Sequence, residues 1–227
     1  MSYPNSDCYQ LACLASNIFS FHWLMTHPNR INESFGWHFQ YLTIIGLSLT
    51  TLTFSIGLLA DISLSPALFR IKNSLSVASA PMELLITLLY WGLRAIDPAL
   101  VLPPDLPQLP LAADMSFHLF PVLGLLADLL LFSPPYAIAT IPAFGLSAGI
   151  ALVYYAWVEL CFANNGFYPY PIFDEAGLQG RVILFAGSAV VMGVATALLK
   201  SVYGAVNGWD VDGDASHPAT RESRKAR

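Results

Sequence analysis

The chain has 227 residues, 56% of them hydrophobic and only 11% charged, whereas a soluble domain carries about a quarter charged residues. The charges cluster and leave long windows almost free of them, which excludes an ordinary soluble domain and points to a multi-pass membrane protein solvated by lipid. The formal net charge of -5 arises in loops and tail, and no basic patch with interleaved aromatics is present, so nucleic acid is set aside as a partner.

The opening "MSYPNSD" lacks the basic n-region of a signal peptide, so the first apolar stretch is expected to remain as a mature helix. A spanning helix needs about 20 mainly apolar residues. Six windows qualify: 8–25, 39–60, 73–96, 115–132, 140–162 and 182–206. The expected fold is therefore all-α, a polytopic bundle of six transmembrane helices over residues 1–207. The first window is diluted by Asn17, Ser20 and His22, and the fourth is short and carries Asp128. Cys8, Cys13 and Cys161 lie in or beside apolar stretches without metal-ligand spacing, and read as buried structural thiols.

The loop after the third window, "DPALVLPPDLPQLPLAAD", has three aspartates, five prolines and no lysine or arginine. Its prolines predict a stiff, extended connector. Residues 208–227 form a polar tail, expected to be disordered and cytoplasmic. Its "DVDGD" resembles a calcium loop only superficially: the glycine comes too early, and Arg221 stands where the closing Glu belongs. No metal or cofactor is expected. No loop exceeds about 20 residues, so any chemistry belongs to the bundle and its short connections.

Orientation follows from the basic residues. With the N-terminus in the cytoplasm, Arg70, Lys72, Lys200, Arg221, Arg224, Lys225 and Arg227 fall on the cytoplasmic side, and Arg30, Arg94 and Arg181 on the other. Both termini are thus expected in the cytoplasm.

Polar residues inside spanning helices are functional suspects. Here they are His22, Thr43, the Thr50/Thr51/Thr53 group, Glu83, His118, Asp128 and Glu159. A helix starting near Phe39 puts Thr43 about 6 Å into the membrane, at ~1.5 Å per residue. A helix starting near Met115 puts His118 about as deep, on the same side. A hydroxyl and an imidazole at the level of lipid ester carbonyls are a candidate nucleophile and base; the other reading of the pair is a structural helix hydroxyl and a packing or anchoring imidazole. Asp114, one turn before His118, either orients the imidazole or serves as an N-cap. His22 is a rival base. Thr50, Thr51 and Thr53 lie near the bilayer centre and read as helix-packing hydroxyls. Glu83, Asp128 and Glu159 form either a structural polar network or a proton path.

Three stretches resemble the androgen-induced and androgen-dependent membrane hydrolases and their fungal relatives. They are "FQYLT", "DMSFHLFPVLGLLADLLLF" and "WVELCFANNGFYPYPIFDE", within a similarity spanning residues 8–207. The resemblance implies a threonine hydrolase of fatty acid esters of hydroxy fatty acids, with Thr43 as nucleophile and His118 as its histidine. An acyl-threonine intermediate, a lipid ester substrate and residence in the endoplasmic reticulum or plasma membrane follow. Glu159 departs from the family's less acidic signature. Arg94 and Arg181 are candidate partners for a substrate carboxylate, and "GFYPYPIF" a candidate interfacial aromatic rim. Two alternatives remain: a non-enzymatic scaffold or regulator, with Thr43 turned away from His118, and a small transporter, with a path lined by Glu83, Asp128 and Glu159.

Overall fold

A computed structural model describes residues 4–103, 105–134 and 139–208. Its helices are α1 (Ser6–Thr26), α2 (Leu42–Ser63), α3 (Pro66–Ile96), α4 (Leu111–His118), α5 (Phe120–Phe132), α6 (Thr140–Asn165), α7 (Pro171–Glu175) and α8 (Gly177–Asn207). The described residues contain no strand, and short 3₁₀ helices fill the links. The protein is an all-α polytopic membrane protein. Beyond Gly208 the expected tail, with its "DVDGD", lies outside the described residues.

Each expected window falls on a helix, but the count needs adjustment. By length and apolarity α2, α3, α6 and α8 can each cross a membrane, and α4–α5 make a fifth span if taken as one element bent by 43°. Of the two helices left, α7 is only five residues long, and α1 has 21 residues but is too polar for that test. The reason is visible in its packing. Its buried residues are all polar: Ser6, Gln10, Asn17 and Ser20. They reach neighbouring helices, Gln10 donating to Asp128 at 2.8 Å, Asn17 to the Thr51 hydroxyl at 3.1 Å and Ser20 to the Ser116 hydroxyl at 2.9 Å. Leu11, Ile18 and Met25 point outward. This inverted pattern suits a helix whose polar groups hold the bundle while its apolar face meets lipid.

The break in α4–α5 also has a local cause. Pro121 has no N–H to give the Phe117 carbonyl, so the ladder fails one turn earlier. Leu119 adopts φ −133°, ψ −48°. The neighbouring His118 carbonyl accepts from the Thr87 hydroxyl at 2.7 Å, which pins the bend to α3. The expected window was 115–132; the structure divides it between α4, which begins at Leu111 and ends at His118, and α5.

Between α2 and α3 the connection is minimal. Leu64 takes a left-handed conformation (φ 52°) and Pro66 starts the next helix, the position where a missing N–H costs nothing. The two helices approach closely at Gly46, where a Cβ would lie 2.6 Å from Ile86 Cδ1 and 2.9 Å from Glu83 Oε1.

The acidic residues expected to form one network occupy three separate places. Glu83 accepts from Thr50 at 3.0 Å. Asp128 pairs with Lys72 at 2.5 Å, both side chains almost fully buried, and accepts from Ser133. Glu159 pairs with Arg181 at 2.9 Å and accepts from Tyr168. Lys72, counted above with the cytoplasmic charges, is thus neutralised inside the bundle. Removing either partner of such a pair costs about 3–5 kcal/mol.

Candidate active site

At one end of the bundle the chain is dense with tertiary contacts. Arg30 pairs with Asp105 at 3.0 Å and lies 4.8 Å over the Phe167 ring. The Phe35 N–H donates to Asn165 at 2.8 Å, and the Trp157 indole to the Phe39 carbonyl at 2.9 Å. Gly36 makes this crowding possible: its φ is +85°, and a Cβ there would sit 2.8 Å from Cys161 Sγ. Residues 101–102 and 106–110 line a cavity at this end together with Thr43 and His118, and Asp105 is tied there to Arg30.

Thr43 lies nearer the start of its helix than the sequence suggested. Residues Trp37–Gln40 form a 3₁₀ helix, Tyr41 is extended, and α2 begins only at Leu42. Thr43 is thus the second residue of α2, where a helix from Phe39 would make it the fifth. It belongs to the first turn, where backbone N–H groups have no intrahelical acceptor. One of these is met from outside: the Leu42 N–H donates to the Tyr154 hydroxyl at 3.0 Å, which in turn donates to the Gln40 carbonyl at 2.9 Å.

First-turn placement separates Thr43 from the other threonines. Thr51 and Thr53 donate to carbonyls one turn back, those of Leu47 and Leu49, and Thr50 donates to Glu83. These three are packing hydroxyls. Thr43 has no helical carbonyl one turn back. Its hydroxyl lies 3.4 Å from the Tyr170 hydroxyl.

His118 is held from both sides. Its ring stacks on Tyr90 at 3.4 Å and 3°. Its Nδ1 lies 3.0 Å from Asp114 Oδ1 and 3.1 Å from the Asp114 carbonyl, which leaves Nε2 for other partners. Asp114 is not an N-cap: Pro110 holds that position, and Asp114 lies inside α4. It is buried and accepts from the Tyr90 hydroxyl at 2.6 Å and from Arg94.

Thr43, Tyr170, Tyr90 and His118 all line one cavity of about 420 Å³, bounded by the end of α1, the start of α2, the 101–110 segment and α4. Among the described residues no hydrogen bond joins Thr43 to His118 directly. Polar groups on its wall include His27, Asn29, His38 and Gln108. Burial pushes the His38 imidazole down to about 4, so the ring is neutral at pH 7; its Nε2 lies 3.2 Å from Asn32 Oδ1. Burial also raises the Tyr170 hydroxyl above its ordinary value, keeping it a proton donor.

Several sequence candidates lie elsewhere. The rival base His22 is exposed and lines no described cavity. Arg94 and Arg181 are already engaged by Asp114 and Glu159. Much of "GFYPYPIF" turns inward: Tyr168 and Phe173 are buried, so it packs the end of the bundle where an interfacial rim was one expectation. Glu83, Asp128 and Glu159 line neither of these two cavities; each is held by its own partner, Thr50, Lys72 and Arg181. Tyr90 and Tyr170 were not singled out from sequence.

Comparison with known proteins identifies the family. Residues 6–204 match the model described as "FAR-17a/AIG1-like protein", and the chain belongs to that family of membrane proteins. It is similar to the UPF0641 membrane protein PJ4664.05 of Schizosaccharomyces pombe (strain 972 / ATCC 24843), with 35% identity over 201 residues, covering 88% of this chain and 90% of that protein. No solved structure matches.

Proposed function

We propose that this protein is an integral-membrane threonine hydrolase that cleaves lipid esters, above all fatty acid esters of hydroxy fatty acids, with both termini in the cytoplasm. The observation that carries the reading is the convergence of Thr43 and an Asp114-held His118 on one cavity wall. A threonine hydroxyl becomes nucleophilic when a base takes its proton, and an imidazole with Nδ1 fixed by a carboxylate offers Nε2 for that purpose.

In this mechanism the substrate ester enters the cavity and brings Thr43 and His118 into register through the reacting groups. The Thr43 oxygen attacks the carbonyl as His118 takes its proton. The tetrahedral oxyanion forms beside the Tyr170 hydroxyl, which donates to it. Collapse expels the hydroxy-acid alkoxide, His118 returns the proton to it, and an acyl-threonine remains. Water, deprotonated by His118, attacks the acyl carbon, and the carboxylic acid departs with Thr43 restored. With Arg94 and Arg181 occupied, the free carboxylate of the hydroxy acid stays in water at the cavity mouth.

The test is hydrolysis by purified protein in detergent. His118→Ala should lower turnover by about 10²-fold or more, the usual contribution of general-base catalysis, with folding intact. Turnover within about threefold of wild type would remove His118 from the mechanism.

A further inference from the structure

Thr43 has a second cavity on its other side. A slot of about 90 Å³ runs from it between α2, α3, α6 and α8. Its wall is hydrocarbon for most of its length, with Leu85, Leu89 and Leu93 of α3 facing Ile150 of α6 and Leu184 and Phe185 of α8. The Ser147 hydroxyl at its far end is turned back to the Ala143 carbonyl at 2.9 Å, so that residue adds little polarity. Along α3 the lining extends from Met82 to Leu93, about 16 Å at ~1.5 Å per residue. The volume admits about six to nine water-sized spheres at ~10–15 Å³ each. Spread over that length, the slot is too narrow for more than one hydrocarbon chain.

The cavity that holds His118 is far roomier, about 420 Å³ against about 90 Å³, and polar on part of its wall. Thr43, Tyr90, Val101 and Tyr170 line both spaces and form the partition between them. A lipid ester has a matching asymmetry. Its acyl side is one unbranched chain. Its alcohol side, when the hydroxyl is borne within a fatty acid, is a branched carbon with two arms and a carboxylate.

We propose that the slot is the acyl-chain site: it takes a single unbranched hydrocarbon chain, brings its carbonyl to Thr43, and selects substrates by the length of that chain, while the branched alcohol part occupies the polar cavity. This deepens the hydrolase reading and rests on it for the ester. Binding of the chain itself needs no chemistry. The far end, where Met82, Ser147 and Met192 meet, sets the length limit. Within that limit each added methylene favours binding about fourfold; beyond it the gain stops.

Two measurements test this on the full-length protein. The first is kcat/KM for a series of esters with one alcohol and an acyl chain lengthened stepwise. Wild type should rise to an optimum and then level or fall. Ser147→Leu, which fills the far end, should cut the ratio of long-chain to short-chain kcat/KM by about tenfold or more, and Met192→Ala should move the optimum to longer chains. The second is photo-crosslinking of wild type with a free fatty acid bearing a diazirine at its methyl end, followed by peptide mapping. Adducts should fall within residues 82–93, 147–154 or 184–192. Adducts confined to the polar-cavity stretches 23–29 and 101–110, or chain-length profiles unmoved by both variants, overturn the proposal even if hydrolysis is intact. Adducts in the slot from a protein that hydrolyses no ester would uphold the chain site and overturn the hydrolase reading instead.

Discussion

Asn at position 114 would separate orientation of the imidazole from its mere presence. Asp114 Oδ1 accepts from the Tyr90 hydroxyl at 2.6 Å and faces His118 Nδ1 at 3.0 Å, while Oδ2 pairs with Arg94. An Asn amide has one oxygen and one NH₂ for these three groups. If the oxygen keeps Arg94, the NH₂ faces Nδ1, and the ring proton moves to Nε2. A protonated Nε2 cannot accept the Thr43 proton. If the oxygen keeps His118, the NH₂ faces the Arg94 cation. The cost to stability is that of charge-assisted hydrogen bonds, about 1.5–3 kcal/mol, because Arg94 remains 28% exposed and water can replace part of the pairing. The cost to turnover should be larger, about 10²–10⁴-fold. Ester hydrolysis by purified Asp114→Asn, measured across pH 6–9 beside a thermal melt, distinguishes the two. A wrong tautomer leaves activity low across the whole range, so raising the pH should not restore it. Turnover within about threefold of wild type, in a protein where His118→Ala is inactive, would show that the imidazole works without Asp114.

Tyr170→Phe keeps the ring and removes the hydroxyl 3.4 Å from Thr43. If that hydroxyl stabilises the oxyanion, kcat should fall by about 10²–10³-fold with little change in KM, and an unchanged kcat would take Tyr170 out of the chemistry. His38 predicts acid sensitivity. Its folded value of about 4 lies below the ~6.5 of the unfolded chain, so between those values the unfolded state binds the extra proton. Stability should be level above about pH 6.5 and fall as the pH drops toward 4, by up to ~1.4 kcal/mol per pH unit. His38→Gln should flatten that part of a melting-temperature profile, and a variant that keeps the full slope would assign it to other groups.

The sequence carries the all-α membrane class because lipid-facing and buried faces are both written in hydropathy. It carries Thr43 and His118 as a pair because both stand at helix ends on the same side of alternate helices, a relation that needs only counting. It misplaces the start of α2, because Trp37–Gln40 are as apolar as a helix start but fold as a 3₁₀ turn. It marks α1 as the window diluted by polar residues, but hydropathy does not show that Gln10, Asn17 and Ser20 all point inward to neighbouring helices. Asp114 was legible in part. Its spacing of four from His118 puts both on one helix face, but its place before an apolar run also fits a cap, and only the start at Leu111 decides between them. Tyr170 left no local signal. It reaches Thr43 across 127 residues, and a tyrosine in an aromatic, Pro-rich loop reads as an anchor until tertiary contacts are known.

The central claim is that Thr43 is the nucleophile, and covalent capture addresses it most directly. Purified protein treated with an ester-directed fluorophosphonate should carry the adduct on the peptide containing Thr43, and Thr43→Ala should be spared. Thr50→Ala, Thr51→Ala and Thr53→Ala should label as wild type does, since their hydroxyls are tied to Glu83 and to helix carbonyls. An adduct mapped to another residue, or full ester hydrolysis by Thr43→Ala, would contradict the account.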